Sequence, residues 1–200
     1  MLKVGVTGGI GSGKSVVCQV FSTLGIPVFK ADDAAKYLMN TDAALTAAIK
    51  TLLGASVYNN ELLDNARVSA IIFAEPQKMQ QLNALVHPAT IAYGEKWIAE
   101  QKSPYIIKEA AIFFESGSNR AIDVMIGVFC PMELRIERAM QRSTLSREKV
   151  ESIIAKQMDE EEKMKRCDFI ITNDDTVAVL PQVLELHDKL LSRAYQGYIA

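Results

Sequence analysis

The run Gly8-Gly9-Ile10-Gly11-Ser12-Gly13-Lys14-Ser15 fits the pattern G-x-x-x-x-G-K-[ST] at every fixed position. Glycines in such a loop reach positive φ, so successive peptide N–H groups can converge on an anion beside the positive end of a helix. Lys14 can extend to the β- and γ-phosphates of a nucleoside triphosphate. The Ser15 hydroxyl is the small hard oxygen that Mg²⁺ accepts beside phosphate oxygens and water. Gly9, Gly11, Ser12, Gly13, Lys14, Ser15 and Val16 are therefore the residues expected to touch the triphosphate. The plainer reading is a glycine-rich turn before a core helix. Against it stands the setting, because the β-rich run Leu2–Thr7 precedes the loop and helix-spaced apolar residues Val16, Val17, Val20 and Phe21 follow it.

Two further groups have the right chemistry to act on a phosphoryl group. Arg135, Arg138 and Arg142 recur at i, i+3 and i+7, one helix face, with Arg147 and Lys149 opening the next helix. Bidentate guanidiniums can follow charge as it spreads over transferring phosphate oxygens. The alternative is a solvated face paired with Glu133, Glu137 and the acidic run Asp159–Glu162. We expect that alternative for Arg135 and a functional role for Arg138 and Arg142. Asp32 lies just past the second strand, at the carboxyl edge where α/β sheets take ligands, and a carboxylate there can orient an alcohol and accept its proton. Its competing reading is an N-cap for the helix that follows. We assign the chemistry to Asp32 and the cap to Asp33.

The elements that must position these residues follow from periodicity. The first helix should end at Leu24, with Gly25 beyond it and Pro27 two positions on. Val28-Phe29, Tyr105–Ile107, Val124–Phe129 and Phe169–Ile171 read as further strands. Continuous apolar runs separated by helices imply a parallel sheet buried on both faces. From Asp33 to about Glu100 the spacing is helical without a comparable strand signal, with breaks expected near Gly54, Asn59-Asn60 and His87-Pro88. Glu133 to Arg166 is helical and densely charged. A terminal helix is expected from Val177 to about Ala194, behind the capping candidates Asp175 and Thr176.

The 200 residues suit one domain with inserted subregions: a core at 1–32, 104–130 and 167–200, a helical insertion at 33–103, and a helical lid at 131–166. With 22 basic and 24 acidic residues, formal net charge −2, no bulk nucleic-acid or membrane surface is expected. The first apolar stretch is too short for a signal or spanning segment, so a cytoplasmic location is expected, as a monomer or weak homo-oligomer. Cys18, Cys130 and Cys167 are too scattered for a zinc site or disulfide framework. The sequence lacks the Asn-Lys-x-Asp guanine-reading motif, the Leu-Ser-Gly-Gly-Gln stretch of transporter ATPases and an apolar strand ending in Asp-Glu. Small-molecule phosphoryl transfer fits better, since its donor must be shielded from water.

On these residues the chain resembles the dephospho-CoA kinase family. The likeness runs from Val6–Ser15 through Ala31-Asp32, Leu85–Pro88, Phe113–Glu115, Arg138 with Arg142, and Gln157, to Asp168–Asn173. It implies an α/β P-loop kinase with a five-stranded parallel sheet flanked by helices, a helical substrate-binding insertion and a helical lid. The implied reaction moves the ATP γ-phosphoryl to the ribose 3′-hydroxyl of dephospho-CoA, with Mg²⁺ accompanying ATP. By matching position, Lys14 and the loop amides hold phosphates, Ser15 holds Mg²⁺ and Asp32 is the base. Arg138 and Arg142 are the lid arginines, with Arg142 nearer the phosphates, while Asn173 falls near the adenine. His87 and Glu115 fall in the acceptor region, although Pro88 gives His87 a structural reading as filler of a helix break. The chain reads Lys30-Ala31-Asp32 where the family usually has Asp-Ala-Asp, and Asn65 where it usually has Arg, with Arg67 close by as a substitute. Glu109, standing where the family has Asp, could reach Mg²⁺ through water. The alternatives are another nucleoside or nucleotide kinase, or a silent nucleotide-binding module.

Overall fold

A computed structural model describes residues 1–143 and 145–196. Position 144, within the expected lid range, and positions 197–200, at the end of the expected core range, lie outside the described residues. In chain order the elements are β1 (Leu2–Thr7), α1 (Lys14–Thr23), β2 (Val28–Lys30), α2 (Ala31–Thr41), α3 (Ala43–Leu53), β3 (Tyr58–Asn59), β4 (Leu62–Leu63), α4 (Asn65–Ala74) and α5 (Pro76–Ala99). They continue with β5 (Tyr105–Glu109), α6 (Phe113–Ser116), β6 (Val124–Phe129), α7 (Met132–Arg142), α8 (Arg147–Ile154), α9 (Glu160–Lys165), β7 (Phe169–Thr172) and α10 (Val179–Gln196). The chain divides into two compact units, Ala31–Glu100 and the discontinuous remainder.

In the discontinuous unit all five strands are parallel, in the order β2-β5-β1-β6-β7. Val4 is in register with Ile107 on one side and Val124 on the other, which makes β1 the central strand. On one face Val17, Cys18 and Phe21 of α1 and Val183, Leu186 and Leu190 of α10 form a core with Val4, Val6, Tyr105, Ile107, Val124, Ile126 and Val128. Each such side chain, fully buried, contributes roughly 1.5–3 kcal/mol. Gly5 of β1, between Val4 and Val6, and Gly127 of β6, between Ile126 and Val128, face the other side of the sheet, where there is no room for more. A Cβ at Gly127 would stand 2.5 Å from Met164 Sδ of α9. Burial on both faces is what the uninterrupted apolar runs required. The first helix closes as expected: Gly25, at φ 81°, lets the Ile26 N–H bond back to Phe21 C=O at 3.1 Å.

The terminal helix begins later than the sequence suggested. Asp174, rather than Asp175 or Thr176, makes the turn before it, accepting from the Thr176 N–H and hydroxyl and from the Val177 N–H. Asp175 is instead left-handed, at φ 66°. An Asp side chain closing a turn on the second and third following amides competes with helix formation at those positions, so α10 starts only at Val179.

The unit Ala31–Glu100 packs its helices around Leu38, Leu45, Ile49, Leu53, Val57, Val68, Leu82 and Val86. Asp42 caps α3 by accepting from Leu45 N–H, and Asp64 caps α4 through the Ala66 and Arg67 N–H groups. The break expected at Asn59-Asn60 is present, but as the turn of a short antiparallel hairpin, β3 with β4, in which Asn60 and Glu61 both take positive φ, and this corrects the expectation of helix without strand. A second expectation is also corrected. No helix ends at His87-Pro88: α5 runs unbroken from Pro76 to Ala99 with Pro88 inside it. An interior proline costs about 3 kcal/mol through one lost hydrogen bond and a clash with the carbonyl four residues back. Pro88 and Ala84 are both exposed, so water can serve that carbonyl, while Leu82, Val86, Gly94 and Ile98 bury the opposite side. No helix among the described residues is long and apolar enough to cross a membrane.

Candidate active site

The glycine loop joins the carboxyl end of the central strand to the first turn of α1, where the outermost helix amides have no intrahelical acceptor. Gly13, at φ 90°, is the left-handed N-cap of α1, and a Cβ on it would lie 2.0 Å from Asn173 Nδ2. Lys14 Nζ donates to the carbonyls of Gly8 (2.9 Å) and Gly9 (3.2 Å). Ser15 is half-buried and Val16 exposed on the same turn. The Ser12 N–H folds back to Gly9 C=O and the Val16 N–H to Gly13 C=O. Ser12 Oγ is buried with no hydrogen-bond partner among the described residues.

Side chains from outside hold this loop. Asn173, just after β7, donates from Nδ2 to Ser12 C=O at 2.9 Å. Gln157 Oε1 accepts the Ile10 N–H at 3.0 Å, and Arg135 Nε donates to Ile10 C=O at 3.1 Å. The Ile10 side chain packs against Ile136, Ala139 and Val150 of α7 and α8. Arg135 is 3% exposed and pairs with Glu160 at 2.9 Å. The solvated-face reading of Arg135 is thereby corrected. It does pair with the acidic run, but buried under the loop, while Glu133 pairs with Arg147 instead. Burial pushes the Glu160 carboxyl up from its ordinary value, opposed by the Arg135 and Lys163 charges.

Arg138 donates from Nη1 to Asn173 C=O at 2.9 Å and to Cys130 Sγ, and from Nη2 to Asp175. It thus joins α7 to the turn after β7. Arg142, at the end of α7, is exposed and has no ion-pair partner among the described residues.

Glu109 is the last residue of β5, in register with Val6 of β1 and Lys30 of β2. Its charge and those of Lys14 and Lys30 are all felt by the buried Cys18 thiol, whose pKa burial pushes up. Mg²⁺ takes one or two protein oxygens and fills its octahedron with phosphate oxygens and water, so the half-buried Ser15 and Glu109, at the ends of two adjoining elements, suit it. Among the described residues no three His, Cys, Asp or Glu side chains form a closed metal cage.

Glu115 is committed to a partner that sequence reasoning missed. Lys163 of α9 is fully buried and donates from Nζ to Ala111 C=O at 3.0 Å and to Glu115 Oε1 at 3.1 Å. Met158 N–H also donates to Glu115. Within Glu160-Glu161-Glu162-Lys163-Met164-Lys165 nothing marks one lysine as interior, except that Met164 beside it fits an inward face. Burial alone would raise the Glu115 carboxyl, but the Met158 N–H and the Lys163 ammonium hold it below the ordinary carboxylate value. A depressed folded pKa stabilises the fold above the unfolded pKa, and that contribution is lost as pH falls through the folded value. Glu115→Gln should therefore cost about 1–2 kcal/mol at neutral pH, less than for a fully buried pair, because Glu115 is open to water and the amide oxygen can still accept. Urea unfolding of both proteins from pH 7 down to pH 3 should show the difference shrinking as acid protonates Glu115.

The remaining candidates belong to the other unit. Asp32 and Asp33 are exposed in the first turn of α2, which starts at Ala31 directly after β2, so Asp33 is inside the helix and is not its N-cap. Arg67 donates to Ser56 C=O at 2.9 Å and pairs with the cap Asp64 at 3.2 Å. His87 is half-buried in mid-helix.

A phosphate loop on the central strand of a five-stranded parallel sheet, ending in Lys14-Ser15 at a helix N-terminus, is the arrangement of a P-loop kinase. Residues 2–178 match the family model described as dephospho-CoA kinase, and the chain belongs to that family. It is 36% identical to the dephospho-CoA kinase of Bacteroides fragilis (strain YCH46) over 186 residues, 92% of this chain and 91% of that one. With that of Chlorobaculum tepidum it shares 37% identity over 200 residues, 96% of each. Its structure is similar to the dephospho-CoA kinase from Campylobacter jejuni, with a TM-score of 0.70 and 26% identity over 95% of this chain and 97% of that one. A likeness to TT1252 from Thermus thermophilus has a TM-score of 0.83 and 29% identity, covering 96% of this chain and 97% of that one. The chain is an ATP-dependent phosphotransferase of this family.

Proposed function

We propose that this chain transfers the ATP γ-phosphoryl to the ribose 3′-hydroxyl of dephospho-CoA from a donor site made by the Gly8–Ser15 loop and two lid arginines. The observation that carries it is the loop itself, at the carboxyl end of the central strand and braced by Asn173 and Arg135. Lys14 leaves its loop carbonyls to reach the γ-phosphate, where charge grows in the transition state. The loop amides from Gly9 to Val16 hold the phosphates, and Asn173 borders the adenine side. Ser15, with Glu109 through water, would hold Mg²⁺, which would supply neutralisation of the phosphate charge. Arg142, exposed and unpaired among the described residues, folds onto the transferring group, with Arg138 behind it. Asp32 takes the acceptor proton, and Arg67 and His87 contact the acceptor. Glu115 serves that region through the segment it anchors at Met158 and Lys163. The lid is 131–166, the acceptor insertion 33–103, and the protein works in the cytoplasm as a monomer or weak homo-oligomer.

The test is incubation with ATP and dephospho-CoA, with and without Mg²⁺, followed by chromatography of CoA and ADP. Production of both only with Mg²⁺ is expected; folded protein that makes neither, or that prefers a nucleoside acceptor by kcat/KM, overturns the proposal. In the same assay Arg142→Ala should lower kcat by about a hundredfold or more, because a guanidinium at the transferring group acts chiefly in the transition state.

A further inference from the structure

The grip on Ile10 has a geometric meaning. A trans peptide is planar, so its C=O and the following N–H point in opposite directions, and holding one aims the other. Gln157 takes the Ile10 N–H, which turns the Gly9 C=O of the same peptide away from Gln157 and onto Lys14 Nζ. Arg135 takes the Ile10 C=O, which turns the Gly11 N–H of the next peptide away from Arg135. Glu160 holds the guanidinium at 2.9 Å so that its Nε faces the loop, and a Cβ at Gly9 would stand 2.0 Å from Arg135 Nη2. The Ile10 side chain, seated among Ile136, Ala139 and Val150, prevents the two planes from rotating together.

We propose that Gln157 and Arg135 are positioning residues for phosphoryl transfer, which set the donor loop by fixing the two peptide planes on either side of Ile10. Gln157 grips the Gly9–Ile10 peptide at the end opposite the carbonyl that Lys14 holds, and Arg135 grips the next peptide. The inference rests on the reading that this loop holds the phosphoryl donor. Gln157 hangs from the chain between α8 and α9, while Arg135 lies in α7. Movement of these lid helices therefore carries the loop with it.

The test uses the full chain and two variants. Gln157→Met keeps length and apolar volume but cannot accept from the Ile10 N–H. Gln157 is half-buried, so folding should survive. The expected result is a rise of about tenfold to a hundredfold in KM for MgATP, with a fall in kcat and an unchanged KM for dephospho-CoA, the pattern of a misplaced donor. Gln157→Glu, which keeps an oxygen acceptor, should restore most of the loss. The double variant Arg135→Met, Glu160→Gln removes both buried charges together and should show the same donor-side signature at a similar melting temperature. A folded variant of either kind with donor KM and kcat within about twofold of the parent overturns the proposal. So does an equal rise in both KM values, or failure of Gln157→Glu to rescue, since general loosening would explain those. Turnover of the parent and its loss in Lys14→Ala are measured first, so a failure of the donor-site reading shows separately.

Discussion

Replacement of Lys14 by alanine is expected to lower kcat by a factor of about 10²–10³, the usual loss when one preorganised charge-stabilising donor is removed. The ammonium is half-buried and bonded to the Gly8 and Gly9 carbonyls, which on the proposed reading keeps it beside the phosphate site before ATP arrives. Its work is differential, since the γ-phosphoryl carries its charge outward as the bond to the β-phosphate loosens. The KM for dephospho-CoA should hardly change, because the acceptor does not meet this group. Steady-state ADP release at saturating acceptor, beside a melting curve, is the measurement. Near-parental kcat in folded protein would remove Lys14 from the mechanism.

Asp32→Asn should cut turnover by about 10²–10⁴, the range for losing a positioned general base, while MgATP binding holds. The amide keeps the shape and one acceptor but cannot take the alcohol proton. Asp33→Asn is the matched control, because Asp33 is equally exposed in the same helical turn. Both substitutions remove a charge from the helix N-terminus and should share its small stability loss of about 0.3–1 kcal/mol. If Asp32 merely supports the start of α2, the two variants will look alike and retain kcat. A selective loss in Asp32→Asn, read by rapid-quench turnover and a separate ATP titration, is expected.

The sheet was legible because its strands are short, mainly apolar runs, with Gly8 after β1 and Pro27 and Pro104 before β2 and β5, and the central strands, buried on both faces, have few polar positions to confuse the period. The phosphate loop was legible because its backbone needs fix residue types at fixed spacing. What could not be read were pairings made across long stretches of chain. Arg135 and Arg138 have the same spacing signal, yet one is sealed beneath Ile10 with Glu160 and the other reaches Asn173 and Asp175. Lys163 looks like any lysine in a charged helix until Ala111 and Glu115 close over it. Pro88 misled for a different reason. Local rules end a helix before proline, and only the burial of Leu82, Val86, Gly94 and Ile98 along the same helix outweighs them.

The place of β1 in the sheet bears on how the chain is made. It is made before both of its neighbours, β5 and β6, which come from beyond residue 100. Ala31–Glu100 is contiguous and mostly helical, with its own apolar centre, and can fold on short-range contacts while synthesis continues. The strand Leu2–Thr7, with a β-rich apolar sequence and two open edges, waits through that interval before Tyr105–Glu109 arrives. The segment that leads into the phosphate loop is thus made well before the strands that cover it, and newly made chains are most exposed to aggregation there.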